Sequence, residues 1–224
     1  LAFLDMRARI ERQAAQRTMM LSGVSHDLRT PLTRLRLGLT LLDEDTTDLE
    51  RDVDEMERMV AEFLSFARDD ASEVPEPTDV AVMIETCVAN AHRAGRNVVL
   101  HGPLPRETLK MRPLAVQRAL ENLIGNAVRY GGQADVSAEV TGRSLRITVE
   151  DPGPGIPEDS REEALKPFSR LDPGRNQNKG SGVGLGLAIA GDVARTHGGR
   201  LELSESKRMG GLRADLVFPK GMSN

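Results

Sequence analysis

Two long apolar seams open the chain. Leu21, Leu28, Leu35 and Leu42 recur every seven residues, with Val24, Leu32 and Leu39 at the companion positions, which predicts a helix from about Asp5 to Leu42. The polar stretch Asp43–Asp48 breaks it. Thr47 and Glu50, three residues apart, read as a capping box that starts a second helix, in which Leu49, Val53, Met56, Val60, Phe63 and Ala67 step by alternating fours and threes. An antiparallel pair with one stripe per helix cannot enclose a core, so two such hairpins packed as a four-helix bundle, a homodimer, is the simplest way to bury both stripes. Met19, Met20, Met56 and Met59 read as adaptable core in that bundle.

The periodicity stops at Asp69–Thr78, DDASEVPEPT, an acidic stretch with Pro75 and Pro77. Beyond it helices and strands interleave. The pattern predicts a helix over Val80–His92, short strands at Asn97–His101 and Thr108–Met111, and a helix that Pro113 opens and that runs to about Tyr130. Strands follow at Ala134–Val140 and Leu145–Glu150 around a turn at Gly142, then a helix over Val183–Thr196 and closing strands at Arg200–Ser204 and Leu212–Phe218. Consecutive strands that pair as hairpins imply a mixed sheet with helices on one face. The resulting division is an amphipathic helix end at 1–15, a dimerising helical hairpin at 16–70, a linker at 71–78 and an α/β domain at 79–224.

Composition narrows the classes. A formal net charge of −4 gives no electrostatic footprint for nucleic acid, and 3% aromatic residues with no tryptophan leave no base-stacking platform. The one cysteine, Cys87, excludes an internal disulfide framework, fits a reducing compartment and sits among core residues. There is no apolar run of about 18 residues, so the chain as given is expected to be soluble.

Candidate chemistry begins at Ser25–Arg36, SHDLRTPLTRLR. With Leu21 at heptad position a, His26 falls at f, farthest from the seam, and faces solvent or a docking partner. Thr30 is one turn on, on the same face, and Asp27 is adjacent, close enough to polarise or deprotonate the ring. Pro31 removes a backbone donor and bends the helix just beyond. A lone surface histidine does nothing; this one has company.

Three segments of the second domain carry polar groups where a core element would not. In ENLIGNAVRYG, Glu121–Gly131, the residues Asn122, Asn126 and Arg129 line a face beside the apolar stripe of Val116, Leu120, Leu123 and Ala127. Asparagine oxygens are neutral hard donors suited to a Mg²⁺ already balanced by phosphates. In DPGPGIP, Asp151–Pro157, the glycines Gly153 and Gly155 allow close backbone approach, and Asp151 can accept a hydrogen bond from an exocyclic amine such as that of adenine. In GSGVGLGLAIA, Gly180–Ala190, glycines at 180, 182, 184 and 186 run straight into a helix, giving backbone donors suited to phosphate oxygens. The spacing fits neither a Rossmann fingerprint nor a Walker A loop.

Taken together these strings resemble the sensor histidine kinases of two-component systems, nearest to the osmosensor EnvZ-like group. SHDLRTPLTRLR resembles their H box, Asn122–Tyr130 the N box, Asp151–Pro157 the G1 box, Lys166–Arg170 (KPFSR) the F box and Gly180–Leu187 the G2 box. The amphipathic start, LAFLDMRARI, is similar to the last helix of a HAMP relay module, which implies a cytoplasmic portion of a bacterial inner-membrane protein whose sensor and membrane segments precede it. The implied fold is α+β, a helical hairpin followed by the α/β sandwich of gyrase, heat-shock and histidine-kinase ATPases. The implied activity is ATP-dependent autophosphorylation of His26 and transfer to an aspartate of a response regulator, with Thr30 at the position associated with dephosphorylating that regulator; the plain alternative for Thr30 is to cap the bend at Pro31. ATP and Mg²⁺ are the implied cofactors.

Residue by residue, the resemblance implies that Asn126 and Asn122 hold Mg²⁺, Arg129 lies near the phosphates, Tyr130 near the base, and Asp151 reads adenine with Gly153 and Gly155 beside it. Phe168 would hold the lid, and Gly182, Gly184, Leu185 and Gly186 would fold over the triphosphate. Arg170 resembles the lid arginine that neutralises the γ-phosphate, but Leu171–Lys179 matches least well, so Arg170, Arg175 and Lys179 remain alternatives. The rival readings are an ATP-gated dimeric conformational protein and a phosphatase-biased scaffold. The first has no use for SHDLRTP at an f position, and a non-catalytic dimeric scaffold that had kept the fold would be expected to carry damaged boxes, whereas these are intact.

Overall fold

The structure is a computed structural model that describes residues 73–169 and 184–220, together with scattered positions between 32 and 60. These residues fall into two compact units.

In the first unit the described positions from 32 to 39 and from 47 to 60 are helical. Thr46 starts the second helix: its carbonyl accepts from Glu50 N at 2.9 Å and its hydroxyl donates to Glu50 Oε1 at 3.1 Å. The cap is therefore one residue earlier than Thr47, which already lies inside the helix. Leu39 and Val53 are buried, whereas Leu35, Leu49 and Met56, from the same predicted seams, are exposed in the single chain.

The second unit is built on a five-stranded sheet of order β2-β4-β5-β7-β6. Its strands are β2 (Val98–Leu100), β4 (Ala134–Val140), β5 (Ser144–Glu150), β6 (Arg200–Glu205) and β7 (Leu212–Pro219). β2 runs parallel to β4 and every other pair is antiparallel. Leu145, Ile147 and Val149 of β5 pair with Phe218, Leu216 and Ala214 of β7, and because side chains alternate across a strand, these six share one apolar face. Helices α1 (Val80–Arg93), α2 (Pro113–Gly131) and α3 (Gly186–Thr196) cover it.

The helix α2 buries Ala115, Val116, Ala119, Leu120, Leu123, Ile124 and Ala127, a single stripe at helical spacing. Leu120, Ile124, Leu145, Ile147 and Leu216 are among the fully buried side chains, each stabilising the fold by about 1.5–3 kcal/mol. The opposite face is polar. There Arg146 bonds Glu202 at 2.8 Å and Asp215 at 2.5 Å, and Thr148 donates to Asp215 at 2.6 Å.

Two further predictions are corrected. The predicted linker 71–78 runs into a strand: residues Glu76–Asp79 form β1, antiparallel to β3 (Thr108–Met111), with Pro77 opposite Lys110 in a two-stranded sheet that tolerates its missing donor. Just ahead of it, the carboxylate of Glu73 accepts from Leu114 N at 2.8 Å and Ala115 N at 3.0 Å, while its carbonyl accepts from Arg112 Nε at 3.0 Å. Those are the orphan donors at the start of α2, whose own N-cap residue, Arg112, supplies no side-chain cap. The helix predicted from Val183 begins at Gly186 instead, because Gly184 adopts φ 77° and interrupts the helical turn ahead of it.

Candidate nucleotide site

Helix α2 is the spine of the site. Asn122, Asn126 and Arg129 are partly exposed along it, flanking the buried stripe. At its end Gly131 leaves no room for a side chain: a Cβ there would lie 2.8 Å from Asp151 Cβ and from Pro152 Cδ. Gly132 then closes the helix at φ 77°. Tyr130, 39% exposed, has its carbonyl against Gly153, where a Cβ would lie 3.1 Å away. The helix end and the loop after β5 are thus pressed together through glycines.

Asp151 is 5% exposed at the end of β5. Its Oδ1 accepts from Gly153 N at 2.8 Å and from Leu212 N at 3.3 Å, and its own N–H donates to Leu212 O at 3.0 Å. None of the described residues donates to Oδ2. Burial pushes this carboxyl above the ordinary aspartate range, with the two backbone donors opposing. The result is a desolvated carboxylate with one oxygen pinned and the other unassigned, the chemistry an incoming N–H donor requires. Gly155, at φ 68°, turns the loop past Gly211.

The glycine-rich segment arrives from the other side. A Cβ on Gly186 would lie 3.0 Å from Asn126 Nδ2 and 3.3 Å from its Oδ1, so the missing side chain leaves the amide of Asn126 uncovered. A Cβ on Gly184 would lie 2.5 Å from Ser169 O, and Gly184 O accepts from Phe168 N at 3.0 Å. Phe168 itself sits at φ 65°, rare for a bulky residue, and is 54% exposed. Leu185 is fully buried.

A continuous chain of contacts therefore brings together Asp151, Gly153, Gly155, Tyr130, Asn126, Gly186, Gly184 and Phe168. Asn122 and Arg129 share the helix face with Asn126. His26, Asp27, Thr30, Arg170 and Gly182 lie outside the described residues. Gly131 and Gly211, both of which press against Asp151, are not among the site residues read from the sequence; nothing local marks either one as facing a carboxylate. A separate recess of about 390 Å³, lined by His101, Ser137, Glu139, Thr148 and Arg213 among others, contains none of the predicted nucleotide residues; it lies on the polar face of the sheet. Among the described residues there is no group of three or more His, Cys, Asp or Glu side chains that could hold a metal ion.

Two family models match the chain: the His Kinase A (phospho-acceptor) domain over residues 16–72, and the histidine kinase-, DNA gyrase B-, and HSP90-like ATPase over residues 111–222. The chain belongs to the sensor histidine kinases. It is 38% identical over 222 residues to sensor histidine kinase GtrS of Pseudomonas aeruginosa, covering 98% of this chain and 45% of GtrS. Against sensor histidine kinase CpxA of Escherichia coli the identity is 33% over 231 residues, with 97% and 50% covered. The chain spans about half the length of these curated relatives. The ATP binding domain of PrrB from Mycobacterium tuberculosis superposes with a TM-score of 0.53 at 29% identity, over 68% of this chain and 99% of that one. The mycobacterial sensor histidine kinase MprB shares the fold at a TM-score of 0.56 and 24% identity, over 66% of this chain and 98% of that one. The α/β sandwich of the second unit is accordingly the histidine-kinase ATPase fold, and among the described residues no helix is long and apolar enough to cross a membrane.

Proposed function

We propose that this sensor histidine kinase binds ATP beside α2 and transfers its γ-phosphoryl group to His26, then to an aspartate of a response regulator. The observation that supports the reading is the joint presence of a phosphoacceptor segment around SHDLRTP and a candidate nucleotide site in which Gly186 packs on Asn126 of α2 and Asp151 on Gly131 at the end of the same helix. A neutral ring nitrogen of His26 attacks the γ-phosphorus, the bond to the β–γ bridging oxygen breaks, and ADP leaves. Asp27 orients the ring or takes its proton, a role worth about 10²–10⁴-fold in rate for a positioned base. Asn126 and Asn122 would hold Mg²⁺, their neutral oxygens matching an ion charge-balanced by the nucleotide; when bound it neutralises charge on the phosphates. Arg129 and the lid cation, among Arg170, Arg175 and Lys179, would supply the remaining positive charge. Thr30, one turn from His26, would support dephosphorylation of the regulator.

A homodimer is the state we infer, because Leu35, Leu49 and Met56 leave apolar seam uncovered in one chain. We place the chain on the cytoplasmic side of a bacterial inner membrane, where ATP, a response regulator and a reduced Cys87 coexist, with a relay-helix end over 1–15, a phosphotransfer hairpin over 16–70 and a catalytic domain that begins at Glu73.

The test is incubation of the chain and of His26→Gln with γ-labelled ATP and Mg²⁺. Acid-labile, base-stable label that is absent from His26→Gln is expected. Label that survives in His26→Gln, or ATP binding with no label in the unaltered chain, would overturn the reading.

A further inference from the structure

The turn between β6 and β7 is more constructed than a hairpin connection needs to be. Ser206 is fully buried; its hydroxyl donates to Glu150 Oε1 at 2.7 Å and accepts from Met209 N at 3.0 Å. Its backbone N–H donates to Gly211 O at 2.8 Å, and its carbonyl accepts from Gly210 N at 2.7 Å. Arg208 reaches Glu150 Oε2 through NH2 at 3.0 Å and Nε at 3.3 Å, and Asp135 Oδ2 through NH1 at 2.6 Å. The turn is thereby fastened to Glu150, the residue immediately before Asp151.

What the fastening delivers is Gly211. A Cβ there would lie 2.3 Å from Asp151 O, 2.5 Å from Gly153 N and 2.6 Å from Asp151 Oδ1, so the turn backbone lies flush against the loop and its carboxylate. The next residue, Leu212, supplies one of the two donors that pin Oδ1 and accepts the Asp151 N–H. With Oδ1 held, the direction of Oδ2 is set by the turn.

We propose that the β6–β7 turn is the positioning element of the base-reading carboxylate, so that Gly211, Arg208 and Ser206 set the preference for a 6-amino purine over a 6-oxo purine. The proposal rests on the reading of Asp151 as the group that meets the base. A fixed Oδ2 accepts from the amino group of adenine and opposes the carbonyl oxygen that hypoxanthine carries at the same position. Two acceptors face each other in the second case, and a carboxylate free to swing would relieve the clash. Rigidity behind Asp151 therefore becomes discrimination in front of it.

The experiment measures displacement of a ribose-modified fluorescent ATP analogue from the full chain by ATP and by inosine triphosphate. Gly211→Ala is expected to weaken ATP about tenfold and Arg208→Met about threefold, with inosine triphosphate changed less than twofold, so that the ATP preference falls by those factors. An unchanged preference, or equal losses for both nucleotides, overturns the proposal, the latter because the turn would then serve the fold alone. Arg208→Met decides the matter where Gly211→Ala does not fold. Asp151→Asn is run alongside: if it leaves the preference intact, the reading of Asp151 itself falls, independently of the turn.

Discussion

Asp135 and Asp151 stand at the same end of two neighbouring strands, since Asp135 of β4 pairs with Glu150 of β5, yet they have opposite surroundings. Asp135 is 4% exposed and saturated by side chains: Gln133 Nε2 at 2.7 Å on Oδ1, and on Oδ2 the Arg208 guanidinium at 2.6 Å with His101 Nε2 at 2.7 Å. Burial alone would push its carboxyl up, but the hydrogen bonds from Gln133, Arg208 and His101 outweigh that and hold it below the ordinary aspartate range. Asp151, equally buried, receives only backbone donors, all on one oxygen, and is pushed up. The first carboxylate is satisfied within the fold. The second is left short of a partner, and an unfinished buried carboxylate is where a ligand completes the set.

Paired substitutions break or sharpen this contrast. Asp151→Asn should lower ATP affinity about 10–100-fold, the loss of one hydrogen bond to a charged group, as read by calorimetry. Asp135→Asn should leave that affinity within about threefold and instead cost about 1–3 kcal/mol in denaturant unfolding, because it removes the anion that Arg208 and His101 face. Equal effects on binding and stability in both variants would erase the distinction.

The next largest effect is in the pH dependence of the nucleotide-free protein. A raised folded-state pKa means that ionised Asp151 costs stability above that pKa and nothing below the unfolded value of about 3.9. Asp151→Asn should therefore raise the melting temperature at neutral pH, with the gain shrinking on acidification. For Asp135 the sign reverses: its contribution is present above the unfolded pKa and is lost as pH falls through its lower folded value, so Asp135→Asn should flatten the acid limb of the stability curve. The smallest signal is at Cys87, whose burial in α1 pushes its thiol up to about 12; a disulfide reagent at pH 8 should react only on unfolding.

Much of this arrangement was legible in the residues. Strands Thr108–Met111 and Ala134–Val140 fall where alternation puts them, and Pro113 opens α2 as its missing N–H suggests. Asp151, Asn126 and Gly186 stood out because their residue types make little sense as core. What stayed hidden is held at long range. Glu73 looks like one acidic residue in a proline-rich stretch, and only the fold brings it to the start of α2, more than 40 residues along. Gly211 looks like half of a turn until Asp151 lies against it. Strand β1 was hidden for another reason: an exposed edge with Pro77 has no apolar alternation to read.

The clasp between Glu73 and α2 also bears on how such proteins can be recombined. A sensing half grafted onto this catalytic half should be joined ahead of Glu73. A junction at Asp79, where helical periodicity resumes, would discard a β-strand and the carboxylate that caps α2, and the recipient would begin life with its central helix uncapped.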